Sequence, residues 1–502
     1  MNNLTRGSLL ARNTVWNLLG SGAPGLVALL AIPVLVRHIG VPRFGLLMLI
    51  WTVVGYFSVF DLGLGSALTQ MVADRLGARK TDDIASLVWT SLALMLALSV
   101  LGTIVLSTSA PVLVHRILKI PASLQPEALR AFLLLAGCLP FMIVTTGLRG
   151  ILEAQQRFGI VNAIRIPTNA FTFVGPLAVL PFSISLVPIV AVLATGRVLA
   201  CLAYAFSCLR TMPELKRLVL ARDHVRYVLR FGAWMTVSNV ISPLMVYVDR
   251  LVIGTVLSVA AVAYYATPFE VVIRLLTIPS ALAGVLFPAF TMSLAHDRHR
   301  AAALFRRGQK YIFLALFPII LAVVTLAPDG LSLWLGSDFA QHSTAVLRLL
   351  AIGVFFNSLS TLPWILIQSA GRPDLTAKFH IVELALYLPV LFLMVRHYGL
   401  IGAAIAWAGR VLLDSAALSL AAVRFLRTQY ALISRVALLA GACGLFMIGT
   451  VFDTATQRII YLVAAMSLAA AVSLIFFLSE ERRRWLRFSP APRYDPQGSG
   501  TT

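Results

Sequence analysis

Apolar residues fill this chain in long blocks, not at alternate positions and not along one helical face. The stretch Ile84–Ala110 holds no Asp, Glu, Lys or Arg, and an apolar run of 18 or more residues marks a helix that crosses a membrane. The pattern recurs and predicts fourteen spans, at 13–37, 44–62, 84–110, 128–150, 160–181, 186–208, 229–256, 264–290, 310–327, 343–369, 376–395, 399–424, 432–452 and 458–478. Each is long enough to cross roughly 30 Å of hydrocarbon at about 1.5 Å per residue. Membrane-barrel strands run to about 10 residues of alternating polarity, and no such pattern occurs. The expectation is an all-α polytopic membrane protein with about fourteen transmembrane helices.

Composition agrees. The 502 residues are 59% hydrophobic and 12% charged, against roughly 25% charged in a soluble domain, which excludes a soluble protein. The first apolar run begins at Asn13 with no small-residue cleavage site and reads as a retained helix. Cys138, Cys201, Cys208 and Cys443 all fall inside apolar spans without metal-ligand spacing, as packing residues do. The net charge of +21 does not point to nucleic acid. Lys and Arg collect in alternate short loops, most of all Arg210–Arg230 and Arg298–Lys310, which places those loops and both termini in the cytoplasm. The tail from Glu480 to Thr502 is basic and Pro/Gly/Ser-rich, as disordered segments are. Its Trp485 and arginines suit an interfacial anchor.

An internal repeat organises the spans. Gly196-Arg197-Val198-Leu199 in span six recurs as Gly409-Arg410-Val411-Leu412 in span twelve, 213 residues on. Ile151-Leu152, Gln155 and Arg157 match Ile365-Leu366, Gln368 and Arg372 at offsets of 213 to 215. Trp16 and Pro24 match Trp234 and Pro243 at 218 and 219. The chain thus divides into a six-helix lobe over 1–210, a second over 211–428, two appended helices over 429–479 and the tail 480–502. Six crossings per unit preserve orientation, so the repeat is parallel. Transporters built this way keep the substrate path, a central cavity, between their halves.

Several motifs carry a resemblance. Arg43-Phe44-Gly45-Leu46-Leu47, Phe60-Asp61-Leu62-Gly63-Leu64-Gly65, Asp249-Arg250-Leu251-Val252-Ile253-Gly254, Tyr264-Tyr265, Leu286-Phe287-Pro288 and Gly371-Arg372-Pro373-Asp374 resemble those of the bacterial polysaccharide-biosynthesis transporters. These are the O-antigen and lipid-linked oligosaccharide flippases of the multidrug/oligosaccharidyl-lipid/polysaccharide (MOP) exporter superfamily. The resemblance covers roughly spans one to twelve. It implies two lobes in a V around a cavity, alternating access in the inner membrane, and an undecaprenyl-pyrophosphate-linked glycan as cargo. Membrane lipids and the machinery of glycan polymerisation and export are the implied partners.

Ionisable groups inside spans are costly, about 2.5–3.5 kcal/mol each on insertion scales, and face a protein interior or a wet cavity. Arg197 and Arg410 sit near the middle of matching spans. Guanidinium groups bind phosphate oxygens through paired hydrogen bonds, so the two arginines are candidates for a headgroup clamp. The alternative is that each fixes helix packing, and Asp414, four residues beyond Arg410, is placed to neutralise it in part. Asp249, Arg250, Glu270 and Arg274 fall at similar depth on spans seven and eight, either as a static salt-bridge network or as a gate or coupling-ion site. Glu383 has no base in its own span and is another coupling-ion candidate. Asp61, at the inner end of span two, either bonds loop amides or serves a gate. Pro24 and Pro243, at matched positions of spans one and seven, are candidate bending points.

No G-x-x-x-x-G-K-[ST] run occurs, so a cation gradient (H+ or Na+) is the expected driving force. No cofactor and no metal site is expected. A cation-coupled drug exporter of the same superfamily is the first alternative; the unmatched bases Arg197 and Arg348 and the two appended helices speak against it. A membrane glycosyltransferase or polymerase is the second. Such enzymes need carboxylates or a metal at an aqueous face, and here the outer loops are short, so no enzyme is expected.

Overall fold

A computed structural model describes residues 25–60, 63–78, 83–221, 225, 245, 247–426 and 432–487. The regular elements among them are all helical. In chain order they are α1 (Gly25–Ile39), α2 (Val41–Phe60), α3 (Leu64–Gly77), α4 (Ile84–Val112), α5 (Gln125–Ala154), α6 (Phe158–Val179), α7 (Leu186–Thr211), α8 (247–256), α9 (Val259–Val272), α10 (Thr277–His296), α11 (Arg298–Leu335), α12 (Ser337–Ser369), α13 (Pro373–Leu426), α14 (Leu432–Ile448) and α15 (Ala455–Arg487). Seven helical segments of the described residues are long and apolar enough to cross a membrane, and α13 counts among them once although it holds two arms. A straight helix would separate residues 383 and 410 by about 40 Å, yet their side chains are 3.1 Å apart. The chain therefore folds back at Gly399, whose φ of 60° glycine adopts without a Cβ penalty.

Packing follows chain order. α5 lies against α3, α4 and α7, and α6 against α7. Further along, α12 lies against α9, α10, α11 and both neighbours' continuation in α13. The appended α14 and α15 pack on α11. There Phe446 meets Phe317 and Phe355 at ring separations of 5.5 and 5.4 Å, and Arg458 of α15 pairs with Asp329 of α11 at 2.7 Å. α15 also continues to Arg487, eight residues into the stretch expected to be disordered. Glu, Arg and Leu there are good helix formers, which composition alone did not weigh.

One helix end and one helix start recur at offsets close to those of the matched sequence positions. After α5, Arg157 N–H donates to Leu152 O (2.9 Å) and Gln156 N–H to Glu153 O (2.9 Å). After α12, Arg372 N–H donates to Ile367 O (3.2 Å) and Gly371 N–H to Gln368 O (3.0 Å). These are the same helix-terminating turn, 215 residues apart. Its left-handed residue is Gly371 (φ 71°) in one copy and Gln156 (φ 58°) in the other. Likewise Phe44 N–H donates to Gly40 O at the start of α2, and Val262 N–H to Ser258 O at the start of α9, an offset of 218.

These repeat-equivalent helices, α2 and α9, also form the seam between the two stretches 25–211 and 247–426. A Cβ at Gly45 would stand 1.8 Å from the Val259 carbonyl oxygen, so only a residue without a side chain permits this approach. Nearby, Lys119 donates from its backbone N–H to Gly254 O (3.0 Å) and from Nζ to Val256 O. Trp334 Nε1–H donates to Leu29 O at 2.7 Å.

Replacing Gly45 by valine should push α2 and α9 apart and destabilise the protein by about 1–3 kcal/mol, read as a lower thermal midpoint of the purified protein in detergent. A midpoint equal to that of the unaltered protein would mean that the seam is looser than described.

Candidate functional site

Charges brought together by sequence-distant helices form two clusters on the α8, α9 and α13 side of the seam. The first centres on Arg250, whose exposure is 1%, beside Asp249 at 0%. A guanidinium removed from water must be paired and hydrogen-bonded, and here both terminal nitrogens meet partners while Nε has none among the described residues. Its Nη2 donates to Glu270 Oε1 at 2.8 Å, and Nη1 lies 3.5 Å from Thr52 Oγ1 of α2, at the outer limit of a hydrogen bond. The guanidinium carbon stands 5.3 Å from the Tyr247 ring and 5.5 Å from the Phe269 ring, within cation–π range. Asp249 is held by its other neighbours: Oδ1 accepts from Arg250 N–H (2.8 Å) and Oδ2 from Tyr265 O–H (2.7 Å).

Glu270 reaches outward as well, with Arg274 Nη2 3.9 Å from its second oxygen. Arg274 sits in the tight turn Ile273–Leu276 that divides α9 from α10, six residues beyond Pro268. Its stem lies over α1, where a Cβ at Gly25 would be 3.0 Å from its Cδ. All four residues expected to act together on spans seven and eight are thus brought together. Thr52, which the sequence reading passed over, stands 218 residues before Glu270. Arg250 therefore bridges two repeat-equivalent positions, one on each side of the seam.

The second cluster lies between the arms of α13. Arg410 Nη1 donates to Glu383 Oε1 at 3.1 Å, and both side chains are largely buried, at 13% and 12% exposure. The Arg410 guanidinium carbon stands 5.3 Å from the Tyr387 ring. Asp414 makes no ion pair with Arg410; the helix-mate expected to neutralise it is displaced in that role by Glu383 from the opposite arm. Both arms present charge to one point, and the cross-arm geometry gives Arg410 and Glu383 the shorter contact. Asp414, Glu383 and His380 have ligand atoms within 4.8 Å of one another. His380 was missed, although H-x-x-E places it on the same helical face as Glu383. The clusters are in contact through Phe269, which packs edge-on against Trp407 at 5.1 Å.

Arg197 stands elsewhere, half-buried on α7, with Cys138 of α5 as its electrostatic neighbour. Among the described residues it has no carboxylate partner, unlike Arg410. Arg348 donates from Nε to Val324 O at 3.0 Å, a packing bond. Asp61, Pro24 and Pro243 lie outside the described residues.

The fold is similar to that of known transporters. It matches the lipid II flippase MurJ in an inward closed conformation, with a TM-score of 0.72 at 13% identity over 93% of this chain and 99% of that one. It also matches an inward-facing MATE family multidrug resistance transporter of the MOP superfamily, with a TM-score of 0.68 at 15% identity over 81% and 96%. The fold is that of the MOP-superfamily transporters, and the protein is a multi-pass membrane protein. Residues 10–294 match the family described as "Polysaccharide biosynthesis protein". The "Putative O-antigen transporter" of Shigella flexneri is 32% identical over 406 residues, covering 81% of this chain and 96% of that protein. The chain belongs to the polysaccharide biosynthesis protein family.

Truncating Arg250 to alanine leaves Asp249 as a buried carboxylate and Glu270 as a partly buried one without their main counter-charge, and should cost about 3–5 kcal/mol. Replacing Arg250 by methionine together with Glu270 by leucine should recover much of that loss. Both are read from the thermal or denaturant midpoint of purified protein; an alanine variant as stable as the parent would show that the cluster is not buried.

Proposed function

We propose that this protein is a flippase that carries an undecaprenyl-pyrophosphate-linked oligosaccharide, an O-antigen or exopolysaccharide repeat unit, across the bacterial inner membrane by alternating access. The observation that carries the reading is the 32% identity to a relative named as an O-antigen transporter, along 96% of that relative's length. That relative and the lipid II flippase are named for transport of their cargo, not for a chemical conversion.

The two halves of the transporter are residues 1–210 and 211–428, with 429–479 appended; the recurrence of helix starts and ends at offsets of 218 and 215 supports this division. With both termini in the cytoplasm, the Gly45–Val259 approach and the Lys119 and Trp334 bonds fall at the outer ends of their helices. Those contacts hold the outer ends of the helices together, as a state that receives a lipid-linked cargo from the cytoplasmic side requires. Arg197, a half-buried cation without a carboxylate partner among the described residues, offers the headgroup a charge. Arg410 contributes from the other half by exchanging Glu383 for pyrophosphate oxygen. A cation gradient, of H+ or Na+, drives the cycle through the carboxylates Asp249, Glu270, Glu383 and Asp414. Asp61 remains a candidate for the inner gate, and Pro24 and Pro243 for bending.

The experiment is reconstitution in liposomes with a fluorescent undecaprenyl-pyrophosphate-linked sugar, following its movement between leaflets. Transfer is expected in the unaltered protein, and a drop of at least tenfold in Arg197→Ala. Arg410→Ala should lose transfer too, with folding checked separately because Glu383 is then unpaired. Transfer surviving both substitutions would demote the arginines to packing residues. Absence of transfer under every imposed ion gradient, with intact protein, would sink the reading in favour of a drug exporter.

A further inference from the structure

We propose that His380, Glu383 and Asp414 form a binding site for a first-row divalent metal cation of the Zn2+ or Co2+ class. The proposal goes beyond the flippase reading: it gives the second charge cluster a divalent cation in place of H+ or Na+ and leaves coupling to Asp249 and Glu270, and it is read without transport, so either can fail alone.

Three observations converge. One nitrogen of His380 and one oxygen each of Glu383 and Asp414 lie within 4.8 Å of one another. His380 nevertheless makes no hydrogen bond or ion pair with either carboxylate, so the three are assembled without bonding among imidazole and acids. Metal–ligand bonds of roughly 2.0–2.2 Å in a tetrahedral site bring ligand atoms to about 3.3–3.6 Å of one another, so the three side chains close on the ion by rotamer adjustment. Second, Glu383 Oε2 and Asp414 Oδ1 are both buried and have no hydrogen-bond partner among the described residues. Each carboxylate thus holds one oxygen uncommitted, which burial makes costly unless a cation or proton meets it. Third, the other oxygen of Glu383 is fixed by Arg410 Nη1 at 3.1 Å, the kind of outer bond that orients a ligating carboxylate.

The donor set selects the metal. A neutral imidazole beside two carboxylates suits borderline first-row cations, whereas Mg2+ and Ca2+ favour oxygen alone. With Arg410 present, the cluster of two carboxylates and one guanidinium carries a net single negative charge that a divalent cation more than offsets. The site is also particular to one half of the chain. Taking the 215-residue offset of the helix-terminating turn and the 213-residue offset of Arg197 and Arg410, the equivalent positions are Arg165, Thr168 and Cys201, which include no carboxylate. The scaffold itself therefore does not require these ligands. Because His380 and Glu383 stand on one arm of α13 and Asp414 on the other, a bound metal ties the arms together.

The test uses the full-length purified protein, stripped with a chelator and titrated with Co2+ and then Zn2+. One equivalent of Co2+ is expected, giving visible ligand-field absorption that Zn2+ abolishes, together with a rise in thermal midpoint. His380→Ala should weaken binding at least tenfold, and Asp414→Asn and Glu383→Gln should do the same. The two amide variants keep the side-chain volume and so guard against misfolding. No stoichiometric binding in folded unaltered protein would overturn the proposal, as would binding that all three variants retain. Displacement of Co2+ by millimolar Na+ would also overturn it and make the cluster a monovalent-cation site.

Discussion

Keeping a guanidinium charged in a place without water is the constraint around which this fold is arranged. Arg250 can be there only because Glu270 and Asp249 neutralise it, two aromatic rings face it and Thr52 meets it from across the seam. Those partners come from α2, α8 and α9, so the helices are held in register by one side chain. Apolar packing alone would not choose that register, since lipid tails compete equally well for Leu and Val. Close approach supplies the rest: Gly45 lets the α2 backbone touch that of α9, which shortens the reach that Arg250 must make.

A repeat that is equal in backbone is unequal in chemistry. Helix starts and ends recur at nearly constant offset, yet Thr52 occupies the place of Glu270, and Cys201 that of Asp414. Among the described residues Arg197 has no carboxylate partner, whereas Arg410 is bonded to Glu383. Similar backbone thus carries different charged groups in the two stretches of the chain. A transporter that had two identical halves would bind cargo equally at both and gain nothing from moving it.

How much of this could be read beforehand depends on the distance in sequence between the partners. The all-helical membrane fold and the family followed from apolar run length and from motifs such as Asp249-Arg250 and Gly371-Arg372-Pro373-Asp374, because these are local. The grouping of Asp249, Arg250, Glu270 and Arg274 was legible from helix depth, since two successive antiparallel spans bring equal depths together. The pairing of Arg410 with Glu383 was not. The i, i+4 rule pointed to Asp414, whereas the contact made in the fold crosses the hairpin of α13. Tyr265 and Thr52 were equally silent, because an uncharged hydroxyl gives no signal until a charge is placed beside it. His380 did leave a trace in its spacing from Glu383, but only the return of the second arm shows what faces it.

The turn at Gly399 is one residue long, and that brevity has a mechanical meaning. Arms joined so tightly cannot slide lengthwise past each other; they swing as one rigid lever. Any pull on Arg410 is delivered at once to Glu383 and to the helix that carries it. Whatever ion sits between the arms rides on the lever with them and is unmoved relative to its ligands. Its hold is lost only where the lever turns its face toward a different neighbour or toward water. Loading and release of that ion are then decided by the angle of the lever, and the strength of the ligands sets only how completely each angle is obeyed.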